Sequence, residues 1–206
     1  MDGALDMRVV ELLMARLCHD LASPIAAVGH GSEVLAEGDG NLAGEAVGLV
    51  AEGAIRAANR LRFYRFAYGY GGDAMMAGGA PSELAVGFFT ATSIACDYAP
   101  SARLLPLAWQ KLACNLLLVG ADLLPRGGAL AAYDGACGIA VDAVGPSVTP
   151  APELIAALTL TLPTSALTPR TVQAYFAGLL ARALGRRLGA ASTSTGGIRI
   201  GAAAAA

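Results

Sequence analysis

The chain is 206 residues long, 55% hydrophobic and 15% charged, with a formal net charge of -2 at pH 7. That balance excludes intrinsic disorder, leaves room for one large domain or two small ones, and at 6% aromatic content predicts an aliphatic core. Every basic residue except Lys111 is Arg, yet the charges cancel, so nucleic acid and anionic membrane surfaces are excluded as partners.

The N-terminal stretch MDGALDMRVVELLMARLCHD carries Asp2, Asp6, Arg8, Glu11 and Arg16, which interrupt any signal-peptide core. A membrane-spanning helix needs about 20 mostly apolar residues. The run Leu104–Pro125 is broken by Gln110, Lys111, Asn115 and Asp122, and Leu154–Pro169 by Pro163. No membrane attachment and a cytoplasmic location are the expectation. With Leu17 set to 0° on a wheel of about 100° per residue, Val10, Leu13, Leu21, Pro24, Val28 and Leu35 fall within about 40° of it. One helix with a continuous apolar stripe is therefore predicted, closed by the breaker AEGDGN over 36–41. A second helix places Ala43, Val47, Val50, Ala54, Ala57, Leu61, Tyr64 and Tyr68 in alternating steps of three and four. Its other face carries Glu52, Arg56 and Arg60, read as a solvated run with a favourable Glu52–Arg56 pair. A short loop between two such helices makes an antiparallel hairpin, which cannot enclose its own stripe. Two copies can, which predicts a homodimer built on a four-helix bundle; the alternative is that the stripe packs on the rest of the chain.

The chain changes character near residue 75, in the glycine-rich stretch Gly69–Pro81, so the boundary is set between a hairpin over 1–74 and a second domain over 80–206. The second domain reads as α+β. Ser82 is placed as the cap of a helix running through Ala95, and Pro106 as the start of one reaching about Leu124. Strands are predicted at Ala129–Tyr133 and Gly138–Val144 around an Asp134-Gly135 turn, with helices at Pro152–Leu158 and Thr171–Leu184. A terminal hairpin pairs Arg187–Thr193 with Ile198–Gly201 around Thr195-Gly196-Gly197, and the closing alanines read as a frayed tail. Helices layered on an antiparallel sheet are the expected architecture. The four cysteines (Cys18, Cys96, Cys114, Cys137) are far apart and read as buried, reduced thiols, with no metal site expected.

His19 lies at about 200° on the wheel, opposite the apolar stripe. Its neighbours on that face are Ala15, Ala22, Ser23 and Ala26, where a surface helix ordinarily carries long charged side chains. One turn on, Pro24 removes the amide that would bond the carbonyl of Asp20 and crowds that carbonyl with its ring. Cys18 points about 100° away and cannot pair with His19 as nucleophile and base. His30 lies three turns off, roughly 16 Å by helical rise, too far to share a metal. Ser23 is within reach, but neither oxyanion donors nor an orienting carboxylate is evident. An exposed imidazole of this kind is left as a transient nucleophile toward phosphorus.

The string Ala15-Arg16-Leu17-Cys18-His19-Asp20-Leu21-Ala22-Ser23-Pro24 resembles the H-box of two-component histidine kinases and phosphotransferases. Together with Lys111-Leu112-x-x-Asn115-Leu116 and VQAYFAGLLARALGRRLG over 172–189, the chain is similar along nearly its whole length to the ChpT-type histidine phosphotransferases of alphaproteobacteria. The resemblance implies a dimeric hairpin bundle followed by a degenerate histidine-kinase-like ATP-binding domain that does not use ATP. It also implies a phosphorelay in which His19 shuttles a phosphoryl group between aspartates of response-regulator receiver domains. Mg²⁺ would then come from the receiver, and this chain would need no cofactor of its own. Asp20 would orient the imidazole or assist its proton balance. The receiver would dock on Ala22, Ser23, Ala26, Gly29 and His30, flanked by Glu52 and Arg56. The ATP-binding signature is eroded. Asn115-Leu116-Leu117-Leu118 remains of an N-box, but Asp142-Ala143-Val144-Gly145-Pro146 stands where a D-x-G-x-G loop is needed, and Leu167–Phe176 replaces a second glycine-rich loop. Two rival readings are a soluble histidine kinase with unusual ATP loops and a non-catalytic dimeric adaptor.

Overall fold

A computed structural model describes residues 6–38, 42–69 and 79–203. Helix α1 spans Met7–Glu37 and α2 spans Ala43–Tyr68. The Asp6 carboxylate caps α1 by accepting from the Arg8 amide at 2.9 Å, and Gly38, at φ 76°, closes it in the left-handed conformation. The two helices pack as the predicted antiparallel hairpin at close range. A Cβ on Gly53 would stand 2.8 Å from the Pro24 carbonyl oxygen, and one on Gly31 2.7 Å from the Val50 side chain. Only glycine fits at either crossing.

The remaining elements are α3 (Pro81–Phe89), β1 (Ile94–Tyr98), α4 (Pro100–Arg103), α5 (Leu107–Asp122), β2 (Gly128–Gly135), β3 (Gly138–Val144), α6 (Pro152–Leu158), a 3-10 turn (Thr164–Ala166), α7 (Val172–Ala183), β4 (Arg187–Ser192) and β5 (Ile198–Ala203). The fold is α+β, with a five-stranded sheet in the order β1-β2-β3-β5-β4. Prolines open α3, α4 and α6, where their fixed φ suits the first turn and the missing amide costs nothing.

Several expectations need correction. The sheet is mixed, because β1 runs parallel to β2 while the other neighbours are antiparallel. The helix expected from Ser82 to Ala95 is a helix and a strand. It begins at Pro81, where the Ala80 amide donates to Glu83 Oε2 at 3.2 Å, and stops at Phe89, where the Thr92 hydroxyl donates to the Phe89 carbonyl at 2.7 Å and Ala91 takes a positive φ of 61°. The β2–β3 turn lies at Ala136-Cys137, since Asp134 and Gly135 still pair with Ile139 and Gly138. Part of the closing alanine run is strand: Ala202 and Ala203 pair with Leu188 and Arg187. The breaker at 39–41, most of the glycine-rich boundary (70–78) and the last three alanines lie outside the described residues.

Helices cover one face of the sheet. Ile139, Val141 and Ala143 of β3 alternate inward beneath α5, where a Cβ on Gly120 would meet the Leu130 side chain at 2.7 Å. That layer is aliphatic as expected, but the junction between hairpin and sheet domain is aromatic. Phe63, Tyr64, Tyr68 and Phe88 pack there with ring centroids 4.4 to 6.1 Å apart. The apolar stripes of the hairpin divide accordingly. Leu13 of the α1 stripe is buried in the main core beside Val9, and Val10 is half-buried, whereas Leu35, Val47 and Leu61 stay exposed.

The helix crossing gives a direct prediction. Gly53→Val forces a branched side chain onto the Pro24 carbonyl and should destabilise the protein by about 1–3 kcal/mol, the usual cost of overpacking. Gly48→Ala, whose Cβ meets nothing within 4 Å, should instead stabilise by up to about 1 kcal/mol. Urea unfolding midpoints of the two variants against wild type measure both.

Candidate functional site

Pro24 sits inside α1, so the carbonyl of Asp20, four residues back, has no amide of its own helix to accept from. The Arg60 guanidinium of α2 donates to that carbonyl instead. Four residues further along α2, the Tyr64 hydroxyl donates to Asp20 Oδ2. The second carboxylate oxygen, Oδ1, lies 3.3 Å from Nδ1 of His19. Asp20 is thus held through both main chain and side chain, its two oxygens divided between a buried tyrosine and the imidazole. Burial and the neighbouring Asp20 carboxylate push the Tyr64 hydroxyl well above the usual tyrosine range, so it remains a proton donor at any physiological pH.

The His19 side chain is 88% exposed. With Nδ1 turned toward Asp20, Nε2 is the ring atom available to an incoming group. Around it Ala22, Ser23, Ala26, Gly29 and His30 are all exposed, as is Glu52 on α2, while Arg56 is half-buried. These are the residues marked from the sequence as a docking face; the five on α1 lie on the same side of that helix as His19. Three details differ. Among the described residues no ion pair joins Glu52 to Arg56, whereas Arg16–Asp122, His19–Asp20, His30–Glu33 and Arg199–Asp142 are paired. Arg60 is not part of a solvated run but turns inward to Asp20. Cys18 is exposed rather than buried, while Cys114 is fully buried and Cys96 and Cys137 are intermediate.

The site is fastened to the sheet domain by polar contacts. Arg16, three residues before His19, makes a bidentate pair with Asp122 at the end of α5, both bonds 2.8 Å. At the end of α2 the carbonyls of Ala67 and Gly69 accept from Asn115 Nδ2 (2.9 Å) and the Lys111 ammonium of α5. Asn115 Oδ1 accepts from Gln173 Nε2 at 2.9 Å, and Gln173 Oε1 from the Tyr68 hydroxyl at 2.6 Å. The Lys-x-x-x-Asn pair of the sequence is therefore a cap for the second helix of the hairpin. Burial draws the Lys111 ammonium below the ordinary lysine range. Asp142 points to the sheet face opposite the helices. Arg199 binds it at 2.8 and 2.9 Å, which, aided by the Tyr133 hydroxyl at 2.9 Å, holds the carboxyl below the usual range.

Sequence reasoning did not find Tyr64 or Arg60 as site residues. The available signal was Pro24 itself, because a carbonyl freed in the middle of a helix requires a donor from its neighbour.

A family profile described as histidine phosphotransferase C-terminal domain matches residues 81–196. Protein phosphotransferase ChpT of Brucella abortus (strain 2308) is 36% identical over 131 residues, which are 63% of this chain and 61% of that protein. The match thus takes in less than two thirds of that relative's length. A 1.7 Å structure of a bacterial phosphotransferase superposes with a TM-score of 0.77 at 27% identity, covering 98% of each chain.

The geometry around Asp20 predicts a measurable coupling. Arg60→Ala leaves the Asp20 carbonyl without its donor and should cost about 1–3 kcal/mol. In a Pro24→Ala background the restored helical amide takes over that carbonyl, and the same substitution should cost less by about 1 kcal/mol. A double-mutant cycle on urea unfolding free energies measures the difference.

Proposed function

Because the chain belongs to the histidine phosphotransferase family, we propose that it relays phosphoryl groups between aspartates of response-regulator receiver domains through His19. The observation that carries this reading is an imidazole standing free on a bare helical face, with Nδ1 turned to a carboxylate and Nε2 outward. In the forward step the Nε2 lone pair attacks the phosphorus of an aspartyl phosphate. The N–P bond forms while the P–O bond to the aspartate breaks, its electron pair returning to the carboxylate. The ring becomes a cation with its proton on Nδ1, and Asp20 offsets that charge. The reverse step delivers the group to a second receiver. The protein contributes position and electrostatics more than covalent chemistry.

Two residues that a kinase would turn to a nucleotide are engaged elsewhere among the described residues. Asn115, the N-box remnant, is fully buried with its amide spent on Ala67, Lys111 and Gln173. Asp142 is occupied by Arg199 on the opposite face of the sheet. Among the described residues no three metal-binding side chains converge. The reading therefore assigns the Mg²⁺ of the reaction to the receiver and treats 80–206 as a degenerate ATPase-like domain. These same occupied groups argue against the soluble-kinase alternative.

The receiver docks on Ala22, Ser23, Ala26, Gly29 and His30, with Glu52 and Arg56 selecting partners by charge. The hairpin over 1–74 joins a second copy in a four-helix bundle. In support, Val47, Ala54 and Leu61 form an exposed ridge at seven-residue spacing on α2, with Val47 56% and Leu61 55% exposed. No helix among the described residues is long and apolar enough to cross a membrane, and the relay is assigned to the cytoplasm.

Incubation with a phosphorylated receiver should place an acid-labile, base-stable label on the wild-type protein and none on His19→Gln, whereas ATP alone should label neither. Equal labelling of His19→Gln overturns the transfer reading, and ATP-dependent labelling of His19 restores the kinase. Leu61→Glu should convert the dimer to monomer in sedimentation experiments; an unchanged mass removes the bundle.

A further inference from the structure

We infer that Tyr64 is a positioning residue for the reacting imidazole, acting through Asp20; the inference rests on the phosphotransfer reading of His19. Tyr64 is 1% exposed, and its ring is fixed on three sides: stacked on Tyr68 at 5.1 Å, and edge-on to Phe88 at 5.5 Å and Phe63 at 6.1 Å. A ring so confined delivers its hydroxyl to one place, Oδ2 of Asp20. Arg60 fixes the main chain of that same aspartate, so the carboxylate has neither backbone nor side-chain freedom left to turn away.

The consequence falls on Oδ1. Held toward His19, it accepts from Nδ1 and favours the tautomer that carries the proton there, leaving the Nε2 lone pair directed at solvent. Nδ1 and Oδ1 stand 3.3 Å apart, a distance that shortens as the ring gains positive charge during attack. Without the tyrosine hydroxyl, Asp20 swings between rotamers and the imidazole reverts to the tautomer mixture of an unrestrained histidine. Tyr64 touches neither phosphoryl group nor receiver, which separates its role from that of the docking face.

The test uses the full-length protein as wild type, Tyr64→Phe and Asp20→Ala. Long-range ¹H–¹⁵N spectra report which ring nitrogen of His19 carries the proton. Single-turnover transfer from a phosphorylated receiver, followed against receiver concentration, separates the saturating rate from the half-saturation point. Tyr64→Phe keeps the buried ring and should move His19 toward the tautomer ratio of Asp20→Ala. It should also lower the saturating rate about fivefold to tenfold, the factor for one ordinary hydrogen bond, at unchanged half-saturation. A wild-type tautomer ratio in Tyr64→Phe overturns the inference, as does a shifted ratio with an unchanged saturating rate. Should the wild type accept no phosphoryl group from any receiver while the tautomer shift is present, the relay reading falls and the Tyr64–Asp20–His19 geometry stands.

Discussion

The last carbonyls of a helix have no partner within it, and at the end of α2 that deficit is met from another element. Asn115 and Lys111, one turn apart on α5, donate to Ala67 and Gly69, and Gln173 of α7 and Tyr68 close the ring. Asn115 is fully buried, so breaking this arrangement would strand polar groups away from water. The rest of the structure depends on it. The hairpin takes its position on the sheet domain from here, Arg16 and Asp122 fix its other helix, and His19 is carried at a set place above that base.

The same economy explains the interior of the hairpin. Pro24 breaks the hydrogen-bond ladder of α1 one turn beyond His19, and α2 answers with an arginine. Gly53 brings the α2 backbone against Pro24, so the two helices run close enough for side chains of one to serve main-chain groups of the other. Motif residues that a kinase would spend on a nucleotide are spent here on architecture. Asn115 and Asp142 are each held by partners within this chain.

How much was legible before the coordinates followed from how local each signal is. The hairpin helices, α6, α7 and the β4–β5 pair announce themselves through periodicity, helix-opening proline and a glycine turn, all confined to short windows. β1 does not, because IACDY is only five residues long and its strand character comes from parallel pairing with a segment beyond two intervening helices. His19 was readable because every neighbour on its face is small. Tyr64 and Arg60 were not, since they meet Asp20 across 44 and 40 positions of sequence and, on a wheel, belong to an apolar stripe and a charged run. The exposure of Cys18 follows from its place one residue before the histidine, where composition alone suggested burial.

The small residues beside His19 have a consequence of another kind. A Cβ on Gly29 would touch nothing, and Ala22, Ser23 and Ala26 are likewise exposed on the outer face of α1, so none of them bears on the interior. Mutational drift at these positions is nearly free of stability penalties, whereas Gly31 and Gly53, on the inward side of the same hairpin, tolerate none. Sequence change can therefore accumulate on one flank of a helix while its folding information, written on the other, stays untouched.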